Sequence, residues 1–305
     1  MMTPEKEVSG VLVIQKHAGA TSHDIVGNVR RLFGTRQVGH TGTLDPMATG
    51  VLVVLVGRAV KASEYLSGEK KTYRAALRLG ITTDTEDMTG KVLSTCDKIP
   101  SFAEIQAILP RFRGEIKQIP PMYSALKVNG QKLVDLARRG QTVERQPRTV
   151  TIESLIAAPT ESESDILLNV TCSGGTYIRT LCADIGQALG CGGAMASLCR
   201  TEAGGFPLSL AHSVEELEAL SVNERIACLL PIETLFEKLS PLRLGSFHEK
   251  LIRGGCSVLC GKLGCELPPG TRIRLISGDG RFFALGEVID SPDGFAVKSI
   301  KTFIL

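Results

Sequence analysis

The feature that most constrains this chain is the run Val51-Leu52-Val53-Val54-Leu55-Val56, free of polar side chains and bracketed by Gly50 and Gly57. With no polar face to offer water, such a run fits a central, buried strand. A membrane span needs about 20 apolar residues, and Arg58 closes this run far sooner. The segments around it supply both strands and helices. Val11 to Gln15 reads as a short buried strand, and Ser22 can cap a helix from His23 to about Phe33 that ends at Gly34. Tyr73, Ala75, Leu77 and Leu79 alternate with Thr72, Arg74, Ala76 and Arg78, the period of a strand with one buried face.

Phe102 to Phe112 predicts an amphipathic helix interrupted late by Pro110, and Asp165 to Cys172 another strand. Thr176 is placed to cap a helix with the apolar stripe Ile178, Leu181, Cys182, Ile185 and Leu189, stopping at Gly190. After Pro241 the texture changes. Short β-like pieces (Arg272 to Ile276, Phe282 to Val288, Phe295 to Ser299) are separated by the turn clusters Ser277–Gly280 and Ser291–Gly294. The reading is an α+β fold in two domains, residues 1–240 and a small all-β barrel or sandwich over 241–305.

Of the 305 residues, 43% are hydrophobic and 22% charged, which suits a globular protein rather than a disordered one. Glu5, Lys6 and Glu7 stand where a secretory leader would be apolar, so the chain is expected to stay in the cytoplasm. None of the nine cysteines is spaced Cys-x-x-Cys, and most lie in apolar stretches, as reduced core thiols do. Cys256, Cys260 and Cys265 have only His248 as a nearby fourth ligand, so a zinc site is not expected there.

The net charge of +3 is unevenly spread. Between Arg111 and Val150 nine basic residues face three acids, whereas between Ala211 and Ser240 six glutamates face Arg225 and Lys238. A basic segment of this kind suits a polyanionic partner, although a merely solvated face would look the same.

Chemistry concentrates in Gly39-His40-Thr41-Gly42-Thr43-Leu44-Asp45-Pro46-Met47-Ala48-Thr49-Gly50, an extended loop feeding the central strand. Its single carboxylate, Asp45, has apolar neighbours. Buried there it needs a partner, while Asp-Pro also commonly begins ordinary turns. Walker and dinucleotide spacings are absent, and Thr82 to Gly90 fails the calcium-loop register because Met88 occupies a ligand position. Arg179 falls in the first turn of its helix, where a cation opposes the helix dipole. It can be a tolerated surface residue, or it can reach away to a buried carboxylate such as Asp45.

The Gly39–Gly50 segment resembles the signature of the TruB family of tRNA pseudouridine synthases. Further matches follow in order: Lys70-Lys71-Thr72-Tyr73, the Asp-Thr-x-Asp core within Gly80–Gly90, Gln118-Ile119-Pro120-Pro121-Met122-Tyr123-Ser124-Ala125-Leu126-Lys127, and Gly175-Thr176-Tyr177-Ile178-Arg179-Thr180. The likeness runs from about Gly10 to Gly205, and the tail is similar to an RNA-binding PUA module. Two departures stand out. Gln15-Lys16-His17 replaces the usual Asp-Lys-Pro, and Gly193-Ala194-Met195-Ala196-Ser197-Leu198-Cys199-Arg200 lacks the histidine usual after Gly-Ala.

The resemblance implies the pseudouridine synthase fold, a mixed and mostly antiparallel sheet with flanking helices and a basic RNA-clamping insertion over 111–150. It implies isomerisation of uridine 55 in the tRNA T-arm with Asp45 as nucleophile, Arg179 paired to it and Tyr73 packed on the target uracil. His40, Tyr177, Leu198, Asp87 and Lys16 fall at substrate-binding positions, and Lys127, Lys132, Arg138 and Arg139 at the RNA backbone. Neither cofactor nor metal is implied, and the expected partner is tRNA, bound by a monomer away from any membrane. Attack at C1′, addition at C6 and a glycal route all remain open from the residues. The rival reading is a tRNA-folding factor with secondary or lost catalysis, against which intact Asp45, Arg179 and Tyr73 argue. An aspartyl-phosphate hydrolase would want a second aspartate and a metal beside the loop.

Overall fold

A computed structural model describes residues 8–66, 68–128 and 130–304. The Glu5–Glu7 segment, on which the leader expectation rests, lies outside the described residues. The first half of the chain contains β1 (Gly10–Lys16), α1 (Ser22–Phe33), β2 (Val38–His40), β3 (Thr49–Val56) and β4 (Lys71–Leu79). A hairpin of β5 (Ile81–Thr83) and β6 (Val92–Thr95) precedes α2 (Phe102–Ile108) and β7 (Gly114–Gln118). The basic segment folds as β8 (Lys127–Val128), β9 (Gln131–Lys132) and α3 (Leu133–Arg138). Then come β10 (Arg148–Pro159), β11 (Asp165–Cys172), α4 (Ile178–Ala188), β12 (Gly193–Ala203) and β13 (Phe206–Pro207).

Nine of these strands form one sheet in the order β1-β3-β12-β4-β11-β10-β7, with β2 and β13 appended to β3 and β12, while β5–β6 and β8–β9 pair apart from it. Its pairings are antiparallel except for β3 beside β12, a short parallel contact matching Cys199 to Thr49 and Arg200 to Gly50. The parallel junction lies where the Asp45 loop enters β3. The central run behaves as its composition requires, with every residue from Gly50 to Val56 buried. Its two faces enter different cores. Leu52, Val54 and Val56 pack with Ile25, Val26 and Val29 of α1, while Val51, Val53 and Leu55 face away from that helix. β4 keeps strict alternation, burying Tyr73, Ala75, Leu77 and Leu79.

Two helix starts differ from the sequence expectation. Thr21, not Ser22, caps α1, closing a reciprocal box with Asp24. Ser22 thereby moves inside the helix, 3% exposed, and its hydroxyl is free for another task. The cap of α4 is Tyr177, and Thr176 instead donates to the Ser173 carbonyl. The Phe102 helix does break near Pro110, passing into a 3-10 turn over Leu109–Phe112.

Short helices α5 (Val214–Ala219) and α6 (Val222–Ala227) lead to a second sheet. It comprises β14 (Pro241–Arg243), β15 (Val258–Leu259), β16 (Arg272–Ile276), β17 (Phe282–Ser291) and β18 (Gly294–Thr302). The strand order is β14-β16-β17-β18-β15, curled into a half-barrel. It carries α7 (Ser246–Arg253) and α8 (Cys260–Leu263), which the turn-rich pattern of the tail did not reveal. The second sheet is not tethered loosely. Phe236, Phe282 and Phe303 meet with ring centroids 5.6–5.9 Å apart and join a buried cluster with Val11, Val51, Val53 and Leu55.

Candidate active site

A loop crossing a protein interior must find a partner for each buried carbonyl. Between β2 and β3 the partners come mostly from distant side chains. Arg200 on β12 donates to the carbonyls of Gly42 (3.0 Å) and Thr43 (3.4 Å). Ser22 on α1 donates to the Leu44 carbonyl at 3.2 Å and accepts from the Leu44 N–H at 2.9 Å. The Asp45 carbonyl accepts from Ala48 N–H within the loop, at 3.0 Å. Pro46 accepts from Gly19 N–H and from the Lys16 ammonium, at 2.8 and 3.1 Å. The loop is thus held along its length, with the Asp45 side chain left 32% exposed at its crest.

Arg179 reaches away from the start of α4 to meet it. Its Nε lies 2.9 Å from Asp45 Oδ2, and Nη2 donates to Oδ1 at 3.1 Å, a two-pronged ion pair. The other prongs donate to the carbonyls of Tyr123 (2.9 Å) and Thr85 (3.1 Å), and Asp87 Oδ2 stands 3.8 Å from Nε. At 5% exposure this guanidinium needs such company, since an unpaired buried cation costs several kcal/mol. Asp87 is in turn fixed by Thr85 Oγ1 at 2.8 Å and the Thr89 N–H at 2.9 Å.

The other predicted residues gather around this pair. Tyr73 is buried in β4 beside Leu44 and Leu198 in one apolar cluster. Burial pushes the Tyr73 phenol upward in pKa, opposed by the nearby Arg200 charge. His40 accepts from the Gly42 N–H through Nδ1 at 3.2 Å, and burial lowers its pKa, with Arg200 next in effect. Lys16 is fully buried, and its ammonium donates to the carbonyls of His17, Ala20 and Pro46, so it touches the loop's far side rather than its crest. Tyr177 is clamped at its backbone by Gln118, which both donates and accepts. Lys127, Lys132, Arg138 and Arg139 stand apart, exposed on the β8–β9–α3 excursion.

Sequence reasoning missed three contributors. Ser22 was hidden by its resemblance to a cap, and Gln118 by its place at the head of an otherwise apolar motif. Arg200 was hidden because its partners, Val51 and Gly42, lie 149 and 158 positions away in the chain. Gly50 adopts φ +100°, and a β-carbon there would lie 2.2 Å from the Arg200 carbonyl oxygen, so only glycine lets β3 pass β12.

Comparison with known proteins places the chain in a family. Residues 30–178 match the TruB family pseudouridylate synthase N-terminal domain, and residues 179–237 the tRNA pseudouridylate synthase B C-terminal domain. A protein called tRNA pseudouridine synthase B in Alkaliphilus oremlandii is 47% identical over 81% of this chain and 82% of its own. Its namesake in Nitrosospira multiformis is 39% identical over 95% and 94%. The chain belongs to the TruB family. The fold agrees with that of a solved Cbf5–Nop10–Gar1 complex, at a TM-score of 0.74 and 24% identity over 98% of this chain and 85% of that one.

Within this TruB site an acidic pair lies behind Arg179. Thr180 donates to Glu86 at 2.6 Å, and Glu86 holds φ +64°, unusual for a residue with a side chain. Burial, with Glu86 alongside, pushes the Asp184 carboxyl up to about 6. A folded-state pKa above the unfolded one means that ionising Asp184 disfavours folding. Its contribution is best below the unfolded value near pH 4 and is lost as pH rises through about 6. Asp184→Asn is therefore expected to raise stability at pH 8 by about 1 kcal/mol, after discounting for solvent screening of this half-exposed group. The gain should vanish at pH 4 in parallel urea titrations. An equal gain at both pH values would contradict the assignment. Among the described residues no cluster of His, Cys, Asp or Glu is placed to hold a metal ion, and all nine cysteines are free.

Proposed function

We propose that this chain isomerises uridine to pseudouridine at position 55 of tRNA, in the T-arm, with Asp45 as the nucleophile. The observation that carries the reading is the two-pronged Arg179–Asp45 pair, which presents an oriented carboxylate beside the apolar cluster of Leu44, Tyr73 and Leu198. The reaction breaks the N1–C1′ bond and makes a C5–C1′ bond. N1 gains a proton and C5 loses one, so no electrons are exchanged with an outside reagent. A carboxylate suits this because it can add to ribose or base, or offset positive charge at C1′.

A uracil within a folded loop must leave its stack to reach Asp45. Tyr73 and Leu198 offer it an apolar surface that offsets part of that cost. The exposed cations of the basic excursion would grip phosphates without reading bases. Lys127 and Lys132 oppose one another directly across the β8–β9 hairpin. Like charges so placed are unfavourable in a free sheet, and an RNA backbone relieves them.

Arg138→Ala combined with Arg139→Ala should weaken tRNA binding and flatten the slope of log affinity against log salt by about two contacts' worth. Filter binding from low to high salt measures this, and an unchanged slope removes both arginines from the interface. The reading as a whole is tested by incubating the protein with a T-arm stem–loop RNA and assaying pseudouridine. A T-arm RNA that is bound but never converted would favour an RNA-folding role.

A further inference from the structure

Arg200 is the largest fully buried side chain among the described residues, and the proposed reaction leaves it without a role. It is 1% exposed, and among the described residues it forms no ion pair with a carboxylate. Its guanidinium donates to three backbone carbonyls: Val51 on β3 through Nε at 2.7 Å, Gly42 through Nη2 at 3.0 Å and Thr43 through Nη1 at 3.4 Å. A cation buried against dipoles alone is expensive to keep, and an apolar side chain would fill the same volume at lower cost. What the guanidinium supplies is a rigid fork of donors, here splitting between the base of β3 and the loop that leads into it.

The backbone of Arg200 is as constrained as its side chain. It pairs with Gly50 on β3 and with Tyr73 on β4, so it occupies the junction between the two strands that deliver Asp45 and Tyr73. The absent side chain at Gly50 is what permits that approach. The guanidinium also lies close enough to the Tyr73 phenol to affect its ionisation. Lys71, 8% exposed, approaches the same loop, its Cε 3.1 Å from where a Gly42 β-carbon would sit, but its ammonium donates to Glu69 and not to the loop.

We propose that Arg200 is a positioning residue for catalysis, fixing the Asp45 loop against β3 and setting its distance from Tyr73. Arg200 touches neither base nor ribose. It acts through the carbonyls of Gly42 and Thr43, which lie three and two residues before Asp45, while Ser22 and Lys16 hold Leu44 and Pro46. This inference rests on the roles proposed above for Asp45 and Tyr73. An ammonium at position 200 keeps the charge but is a compact point on a flexible stem, without the planar fork that reaches from Val51 to Gly42, so the loop should shift while the sheet stays intact. A displacement of about 1 Å at a reacting group costs on the order of a hundredfold in rate.

The test uses Arg200→Lys and Arg200→Ala in the full chain, with circular dichroism for folding, filter binding for RNA affinity and single-turnover pseudouridine formation on saturating T-arm RNA. Arg200→Lys should lose about a hundredfold in rate with RNA affinity close to the parent's. Added guanidinium ion should restore part of the rate to Arg200→Ala and none to Asp45→Asn, a recovery that a purely structural role would not give. A folded Arg200→Lys protein turning over at the parent rate overturns the proposal, as does a rate loss that merely follows lost affinity. Failure of both variants to fold also overturns it, since Arg200 would then be a requirement of folding. The parent on the same RNA is the reference. An inactive parent sinks the T-arm reading, whereas an active parent with equally active variants sinks this inference alone.

Discussion

Asp45→Asn is expected to bind tRNA as the parent does and to form no pseudouridine. The amide keeps the shape of the side chain, so the loop tethers at Gly42, Thr43, Leu44 and Pro46 have no reason to move. What changes is the chemistry of two atoms. Both Asp45 oxygens now accept from Arg179, at 2.9 and 3.1 Å, and in the amide one of them becomes a donor facing a donor. The nucleophile is lost, and the buried Arg179 charge loses its closest carboxylate, keeping the more distant Asp87 at 3.8 Å. Loss of a group that must act in the transition state costs at least about two powers of ten in rate. Single-turnover assays above about a hundredth of the parent rate would remove Asp45 from that role. A large loss of affinity instead would mean that Asp45 binds the nucleotide rather than attacking it.

Phe303→Ala is expected to destabilise the whole chain, not just its last strand. Phe303 is fully buried, with Phe236 and Phe282 each 5.6 Å away between ring centroids. Emptying such a site costs about 3–5 kcal/mol, through lost transfer energy and the cavity left behind. Phe236 precedes the second sheet while Phe282 and Phe303 belong to its far end, and the same cluster continues into β1 and β3. The cost should therefore appear as one unfolding transition at lower denaturant, read alike by probes on either sheet. Two transitions, with the first sheet melting as in the parent, would contradict a shared core. The cluster also shows why cutting the chain near Ser240 is a poor way to separate affinity from chemistry. The cut would expose Ile232 and Phe236, now 8% and 5% exposed. Neutralising exposed tail cations such as Lys250 or Lys262 leaves that core alone.

Local pattern carried much of the fold. The run from Val51 to Val56 could only be a central strand, and Tyr73 to Leu79 declared their buried face by alternation. Asp45 was legible because it was the sole acid of a glycine-rich loop, and Arg179 because it opposed its own helix dipole. What stayed hidden depended on contacts between distant segments. Nothing near Arg200 in the sequence says that its side chain crosses to Gly42, 158 positions away. Ser22 stood one residue inside the true cap, so the hydroxyl that looked like a helix signal was a loop tether. The parallel contact of β3 with β12 involves two residue pairs, too few to impose a periodicity. In the tail, the glycines and prolines around α7 gave a turn-like texture that outweighed eight residues of helix.

If the Asp45 site works as proposed, it converts one uridine of the T-arm and no other. This is tested most directly by incubating the protein with a full-length, unmodified tRNA transcript and mapping every pseudouridine along it. A single new pseudouridine is expected at position 55, formed by the parent and absent with Asp45→Asn. Conversion at another position with uridine 55 untouched, or conversion that persists in Asp45→Asn, would contradict it.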